Sequence, residues 1–155
     1  MKTQSILLVD DNPDDVFLTV HAFRQNKIPN EIIVARDGVE AVNLLLPQDG
    51  TDPVRPVIVL LDINMPRMGG LEVLARLRAD VLTRSLPVIM LTTSTEDRDI
   101  AQSYAGGANS YVPKPVATEQ FLEAAKTLGV YWLGLNIQAS TDVRPFPTRS
   151  GSGDD

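Results

Sequence analysis

Val57-Ile58-Val59-Leu60-Leu61-Asp62-Ile63-Asn64-Met65-Pro66 is the stretch on which the fold turns. Five apolar residues run without a break and stop at one carboxylate. A run this short and this rich in β-branched residues reads as a central strand covered on both faces. Asp62 then falls at the strand's end. In open α/β sheets the reactive crevice lies outside the carboxyl ends of the strands. A carboxylate there can be a nucleophile toward phosphorus or a metal ligand. It can equally be a turn former that caps the following loop. Taken alone, Asp62 does not decide between these.

The flanking chain repeats the pattern. On the N-terminal side, Ser5-Ile6-Leu7-Leu8-Val9 is a short apolar strand ending at Asp10-Asp11. Asn12 then suits an N-cap, Pro13 the first helical position, and Asp14 and Asp15 the first turn. Val16, Val20 and Phe23 recur at helical spacing. Glu31 to Ala35 is a second strand, and Asp37 with Glu40 opens a helix as a capping-box variant. Gln48 to Pro56, with Gly50, Asp52 and Pro53, reads as a surface loop. On the C-terminal side, Pro66 to Gly70 is a loop, and Leu71, Leu74 and Leu77 mark a third helix. Leu86 to Leu91 is a fourth strand ending at Thr92. Ser94 with Asp97 caps a helix through about Tyr104, which Ala105-Gly106-Gly107-Ala108 breaks. Asn109 to Val112 is a very short fifth strand, ended by Pro113-Lys114-Pro115. The last helix begins near Thr118, with Phe121, Ala125, Leu128 and Trp132 on one stripe. Five strand–helix alternations imply an α/β domain: a five-stranded parallel sheet with helices on both faces.

Composition narrows the class. A chain of 155 residues fits one domain and can bury a real core. Hydrophobic residues make up 43%, but no apolar run approaches the ~20 residues of a membrane span. No secretory signal pattern opens the chain. With no cysteine, disulfide frameworks, thiolate zinc sites and redox motifs are excluded. The net charge is −6 without a Lys/Arg cluster, so nucleic-acid binding has no electrostatic support. The expectation is a soluble, cytoplasmic protein that binds neither nucleic acid nor membrane.

In a parallel sheet the strand ends share one edge, so Asp10, Asp11, Asp62, Thr92 and Lys114 should converge. Clustered carboxylates repel one another and ionise most easily around a cation. Oxygen-only ligands point to Mg²⁺ or a similar hard ion. A lysine adds a compact positive charge, and a threonine hydroxyl one more donor. Such a set suits phosphoryl transfer, which asks for positioning and charge neutralisation. Each residue also has an ordinary role as helix cap, helix start or surface lysine. All of them falling at strand ends is harder to assign to chance.

Residues 5 to about 128 resemble the receiver domain of two-component response regulators. The matching segments are Leu8-Val9-Asp10-Asp11, Leu60-Leu61-Asp62-Ile63-Asn64-Met65-Pro66, Met68-Gly69-Gly70, the strand into Thr92, and Lys114-Pro115. The resemblance implies a flavodoxin-like, CheY-like (βα)5 fold. It implies that Asp62 accepts a phosphoryl group from a sensor histidine kinase, with Mg²⁺ as cofactor. Asp11 and Asp62 would hold the ion by side chain, Asn64 by its backbone carbonyl and Asp10 through water. Thr92 and Lys114 would contact phosphoryl oxygens, Tyr111 would be the aromatic switch, and the bond before Pro115 would be cis. Two departures, Val116 after Lys-Pro and Thr93 after Thr92, bear on the packing of the switch. Asn12-Pro13-Asp14-Asp15 and Leu128 to Asn136 resemble more closely the small stand-alone regulators of bacterial phytochrome histidine kinases. The chain would then be a phosphoacceptor rather than an enzyme. It would signal to a downstream protein or a histidine phosphotransfer protein by changing its surface.

Two other readings compete. An aspartate-nucleophile phosphatase of the haloacid dehalogenase type wants a second Asp two residues after the nucleophile, and this chain has Asn64. A degenerate receiver serving only as a binding module is at odds with the complete acid set, Thr92 and Lys114. Beyond the receiver, residues 129–140 read as a helical extension. Its apolar residues Tyr131, Trp132, Leu133 and Leu135 lie on more than one side, which suggests an interface and a two-fold homodimer. A helix end folded back over its own domain is the alternative. Residues 141–155, rich in Pro, Ser, Gly and Asp, read as a flexible tail.

Overall fold

The computed structural model describes residues 4–92, 106–114, 116 and 118–127. Its elements are β1 (Ile6–Val9), α1 (Pro13–Gln25), β2 (Ile32–Ala35), α2 (Gly38–Leu45), β3 (Ile58–Asp62), α3 (Gly70–Ala79), β4 (Val88–Thr92), β5 (Ser110–Pro113) and α4 (Thr118–Thr127). The strands form one sheet in the order β2-β1-β3-β4-β5, every pair parallel. The α/β architecture expected from the sequence is therefore present. The helix expected from Ser94 to about Tyr104 lies outside the described residues, as do the extension, with Tyr131, Trp132, Leu133 and Leu135, and the tail.

Alternation along each strand divides the core into two layers. Leu7, Val9, Val59, Leu61, Val88 and Met90 point to one face, where α2 and α3 bring Ala41, Leu45, Val73, Leu74 and Leu77. Ile6, Leu8, Ile58, Leu60, Ile89 and Leu91 point to the other, where Phe23 of α1 and Phe121 of α4 meet with ring centroids 4.5 Å apart. The stripes Val16–Val20–Phe23 and Phe121–Ala125 both lie on that second layer. No helix among the described residues is long and apolar enough to cross a membrane.

Several boundaries shift by a residue or two from the expectation: β1 begins at Ile6, β2 at Ile32 and β5 at Ser110, and two further shifts have a clear cause. β4 starts at Val88 rather than Leu86, because Pro87 has no N–H for the ladder. Its carbonyl still accepts from the Val59 N–H at 2.9 Å. Gly70 belongs to α3 rather than to the loop before it, with extended Gly69 as the N-cap.

A clip that the sequence did not announce joins the β4–β5 connection to α3. The half-buried Arg78 guanidinium donates to the carbonyls of Gly107 (2.9 Å) and Leu86 (2.9 Å) and to Asn109 Oδ1 (3.0 Å). The same Asn109 oxygen accepts from the Val88 N–H at 2.8 Å, at the first residue of β4. Arg78→Met would keep the stem's packing but strand several carbonyls. The expected loss is about 2–3 kcal/mol of stability, read from the urea midpoint; an unchanged midpoint would show that water replaces the guanidinium.

Candidate functional site

The sheet order places the crossover reversal between β1 and β3: from β1 the chain goes to β2 on one side, and β3 pairs on the other. The carboxyl edge at such a switch point is where open α/β sheets bind ligands. Val9 is paired with Leu61, so Asp10 and Asp62 follow as neighbours one step further along the two strands.

Local structure holds each in place. Asp10 is fully buried. Its backbone N–H donates to the Ala35 carbonyl at 3.0 Å, and its Oδ1 accepts from the Asn12 N–H at 3.0 Å. Asn12 then caps α1 as expected, accepting from the N–H groups of Asp14 (2.8 Å) and Asp15 (3.3 Å). Asp11, by contrast, is exposed. Asp62 ends β3 and is 4% exposed. The Gly70 N–H donates to the Ile63 carbonyl at 2.8 Å and closes the loop beyond it. Arg67, in the left-handed region at φ 66°, pairs with Asp37. Asp37 in turn caps α2 through the Glu40 N–H at 2.8 Å, and Glu40 reaches back to the Arg36 N–H. The capping box expected there thus closes on the residue before the cap.

Carboxylate oxygens of Asp10, Asp11 and Asp62 lie within 4.8 Å of one another. The Lys114 ammonium sits over this cluster with its side chain 7% exposed, 3.1 Å from Asp10 Oδ2 and 3.4 Å from Asp62 Oδ2. Its shortest contact is to a residue that the sequence offered only as a helix-start acid: Asp15 Oδ2, at 2.7 Å. The first turn of α1 carries Asp15 across the strand edge to the residue that follows β5. The only hint in the sequence was an acid five places after Asp10 on a helix leaving that edge.

Electrostatics follow from the crowding. Burial and the neighbouring Asp10 charge lift the Asp62 carboxyl, the Lys114 ammonium draws it down, and the result is about 6. Burial disfavours the Lys114 ammonium, but its hydrogen bond to Asp15 and the charges of Asp62 and Asp10 outweigh that and push it above the usual lysine range. Because Asp62 holds its proton more tightly folded than unfolded, ionising it costs stability. The cost begins above the unfolded value of 3.8 and is complete once pH exceeds about 6. In EDTA, Asp62→Asn should therefore be more stable than the native chain at pH 7, by on the order of 1–3 kcal/mol. That gap should close as pH falls through about 6 toward 4; a gap independent of pH in paired denaturation curves would refute the assignment.

The other expected residues are placed as follows. Thr92 is the last residue of β4, paired with Pro113. Tyr111 lies half-buried on β5 and packs against the core layer of α2 and α3. Asn64 is exposed just beyond Asp62. Pro115 lies outside the described residues.

Comparison with known proteins agrees with this geometry. Residues 6–126 match the family described as the response regulator receiver domain. The chain is 37% identical over 131 residues to a probable methanogenesis regulatory protein, FilR2, of Methanothrix harundinacea, covering 84% of each chain. The solved bacteriophytochrome response regulator AtBRR is 42% identical, with a TM-score of 0.74 over 88% of this chain and 99% of that one. The Mn²⁺-bound form of response regulator Rcp1, from Synechocystis, is 32% identical, with a TM-score of 0.69 over 85% of this chain and 96% of that one. With the fold, the buried carboxylate edge and these matches in agreement, the chain belongs to the response regulator receiver family and is related to the phytochrome response regulators.

Proposed function

We propose that the protein accepts a phosphoryl group on Asp62 from the phosphohistidine of a sensor histidine kinase and signals through the change this makes in its surface. The observation that carries the reading is the Asp62 carboxylate itself, buried at the switch point between two more acids and a lysine. Even in the cation-free protein, a carboxyl raised to about 6 is mostly ionised at neutral pH, as a nucleophile must be. An Asp62 oxygen bonds to phosphorus as the phosphorus–nitrogen bond breaks, and that electron pair leaves with the imidazole. Lys114, freed from part of its carboxylate contacts, is within reach of an oxygen on the transferred group. Thr92, at the end of β4, is the hydroxyl proposed to meet another.

The residues fit a divalent cation. The donors are carboxylate oxygens close enough to share an ion, with no nitrogen or sulfur ligand among them, and an ammonium already neutralises the cluster. Mg²⁺ held by Asp11, Asp62 and the Asn64 carbonyl, with Asp10 behind, would supply charge neutralisation at the transferring group. Given the likeness to a bacteriophytochrome regulator, a phytochrome kinase is the proposed donor. A downstream protein or a phosphotransfer protein is the proposed reader. Dimerisation through Tyr131, Trp132, Leu133 and Leu135 is proposed from the sequence pattern alone.

The test is incubation of the protein with acetyl phosphate and Mg²⁺, followed by mapping of the modified residue. Modification confined to Asp62 and suppressed by EDTA is expected. Labelling that survives EDTA would remove the cation from the reaction, and labelling at another residue would remove Asp62.

A further inference from the structure

We propose that Asp15 is a positioning residue: it is the anion to which Lys114 retreats when Asp10 and Asp62 turn their oxygens to a divalent cation. The inference rests on the cation reading above and adds a residue to it. In the structure the ammonium is shared unequally among three carboxylates. It is 2.7 Å from Asp15, 3.1 Å from Asp10 and 3.4 Å from Asp62. Its side chain is 7% exposed, so water cannot solvate it freely if a partner is taken away. Asp10 and Asp62 belong to the set of acids close enough to share an ion, and Asp15 does not.

A dication drawn among Asp10, Asp11 and Asp62 would repel the ammonium and take over two of its three partners. An ammonium left buried without an anion is costly. Asp15 removes that conflict. It stands on α1, outside the cation set, already in the shortest contact, and its side chain is 26% exposed and free to follow a small movement. Its backbone is fixed independently by the Asn12 cap. Lys114 therefore keeps a charge-assisted hydrogen bond in the cation-free and the cation-bound states alike. Without Asp15, the ammonium has only Asp10 and Asp62 and competes with the ion for both.

The consequence is read in binding rather than in turnover. Mn²⁺ titration followed by the electron paramagnetic resonance of the free ion should show Asp15→Asn binding roughly tenfold more weakly than the native chain, the order expected for one charge-assisted hydrogen bond. Loss of a negative charge would by itself weaken binding, so the comparison is repeated with Lys114→Met. If Asp15 acts through the lysine, adding Asp15→Asn to Lys114→Met should change the affinity by less than about twofold. Equal weakening in both backgrounds would mean a plain through-space charge effect and would overturn the proposal. Undiminished binding in Asp15→Asn would overturn it as well. The Lys114 ammonium resonance is a second readout: it should survive Mg²⁺ addition in the native chain and broaden into solvent exchange in Asp15→Asn. Native protein that takes up no Mn²⁺ would remove the cation reading itself, and this proposal with it. Native binding with an indifferent Asp15→Asn would remove only the proposal.

Discussion

Asp62→Asn is expected to reduce phosphoryl uptake, from kinase or from acetyl phosphate, to background. A carboxamide oxygen carries no charge and is a poor nucleophile toward phosphorus. The neighbours cannot readily substitute. Asp10 is fully buried, with one oxygen committed to the Asn12 N–H and the other to Lys114. Asp11 is the nearer risk, being exposed on the same edge. Slow labelling that moved to Asp11 would show that the edge activates any carboxylate and that Asp62 is only the best placed. The variant should remain folded, because Lys114 keeps its contacts to Asp10 and Asp15 and one source of like-charge repulsion is gone. A folded, unlabelled protein is therefore the expected outcome. Undiminished labelling would mean that the buried edge is not where the chemistry happens.

The edge itself was legible because its signals are local. An apolar run that stops at a carboxylate marks the end of a buried strand, and β1 and β3 both do this before Asp10 and at Asp62. Parallel pairing then follows from alternation with helices, and pairing brings the two strand ends together. The cap at Asn12 and the box at Asp37 were readable for the same reason, since each involves residues within four places. What was not legible depends on contacts over long sequence separations. Asp15 looked like a helix-start acid, and nothing local says that Lys114, 99 residues on, stands 2.7 Å away. Nothing near Arg78 in the chain marks its partners, yet it reaches carbonyls and Asn109 across the fold. The Asp10–Asp11 pair read as a unit, whereas one member is sealed in the sheet and the other faces solvent. Strand direction alone does not separate two consecutive acids at a turn.

Gly70→Ala should be strongly damaging, although a helix ordinarily gains from alanine. Gly70 opens α3, and replacing a helical glycine there would contribute roughly 1 kcal/mol in isolation. Sterics decide against it. A Cβ at this position would lie 2.1 Å from the Asp62 carbonyl oxygen and 2.8 Å from the Ile63 Cα. These are backbone atoms, so no side-chain rotation relieves the clash. The carbonyl belongs to the last residue of β3, held between β1 and β4 in the middle of the sheet. Relief must come from pushing α3 outward, which also strains the hydrogen bond from the Gly70 N–H to the Ile63 carbonyl. Leu74 and Leu77, fully buried on α3, would move with it. The expected net cost is about 3 kcal/mol or more, at the upper end for overpacking, seen as a lower urea midpoint. The displacement would fall on the loop that carries Asn64, so cation affinity should drop in whatever fraction still folds. Gly69→Ala is the control, because its Cβ would come no closer than 3.3 Å to the Ile63 carbonyl oxygen. If Gly70→Ala were as stable as Gly69→Ala, the tight seat of α3 against the end of β3 could not be what sets the geometry of the site.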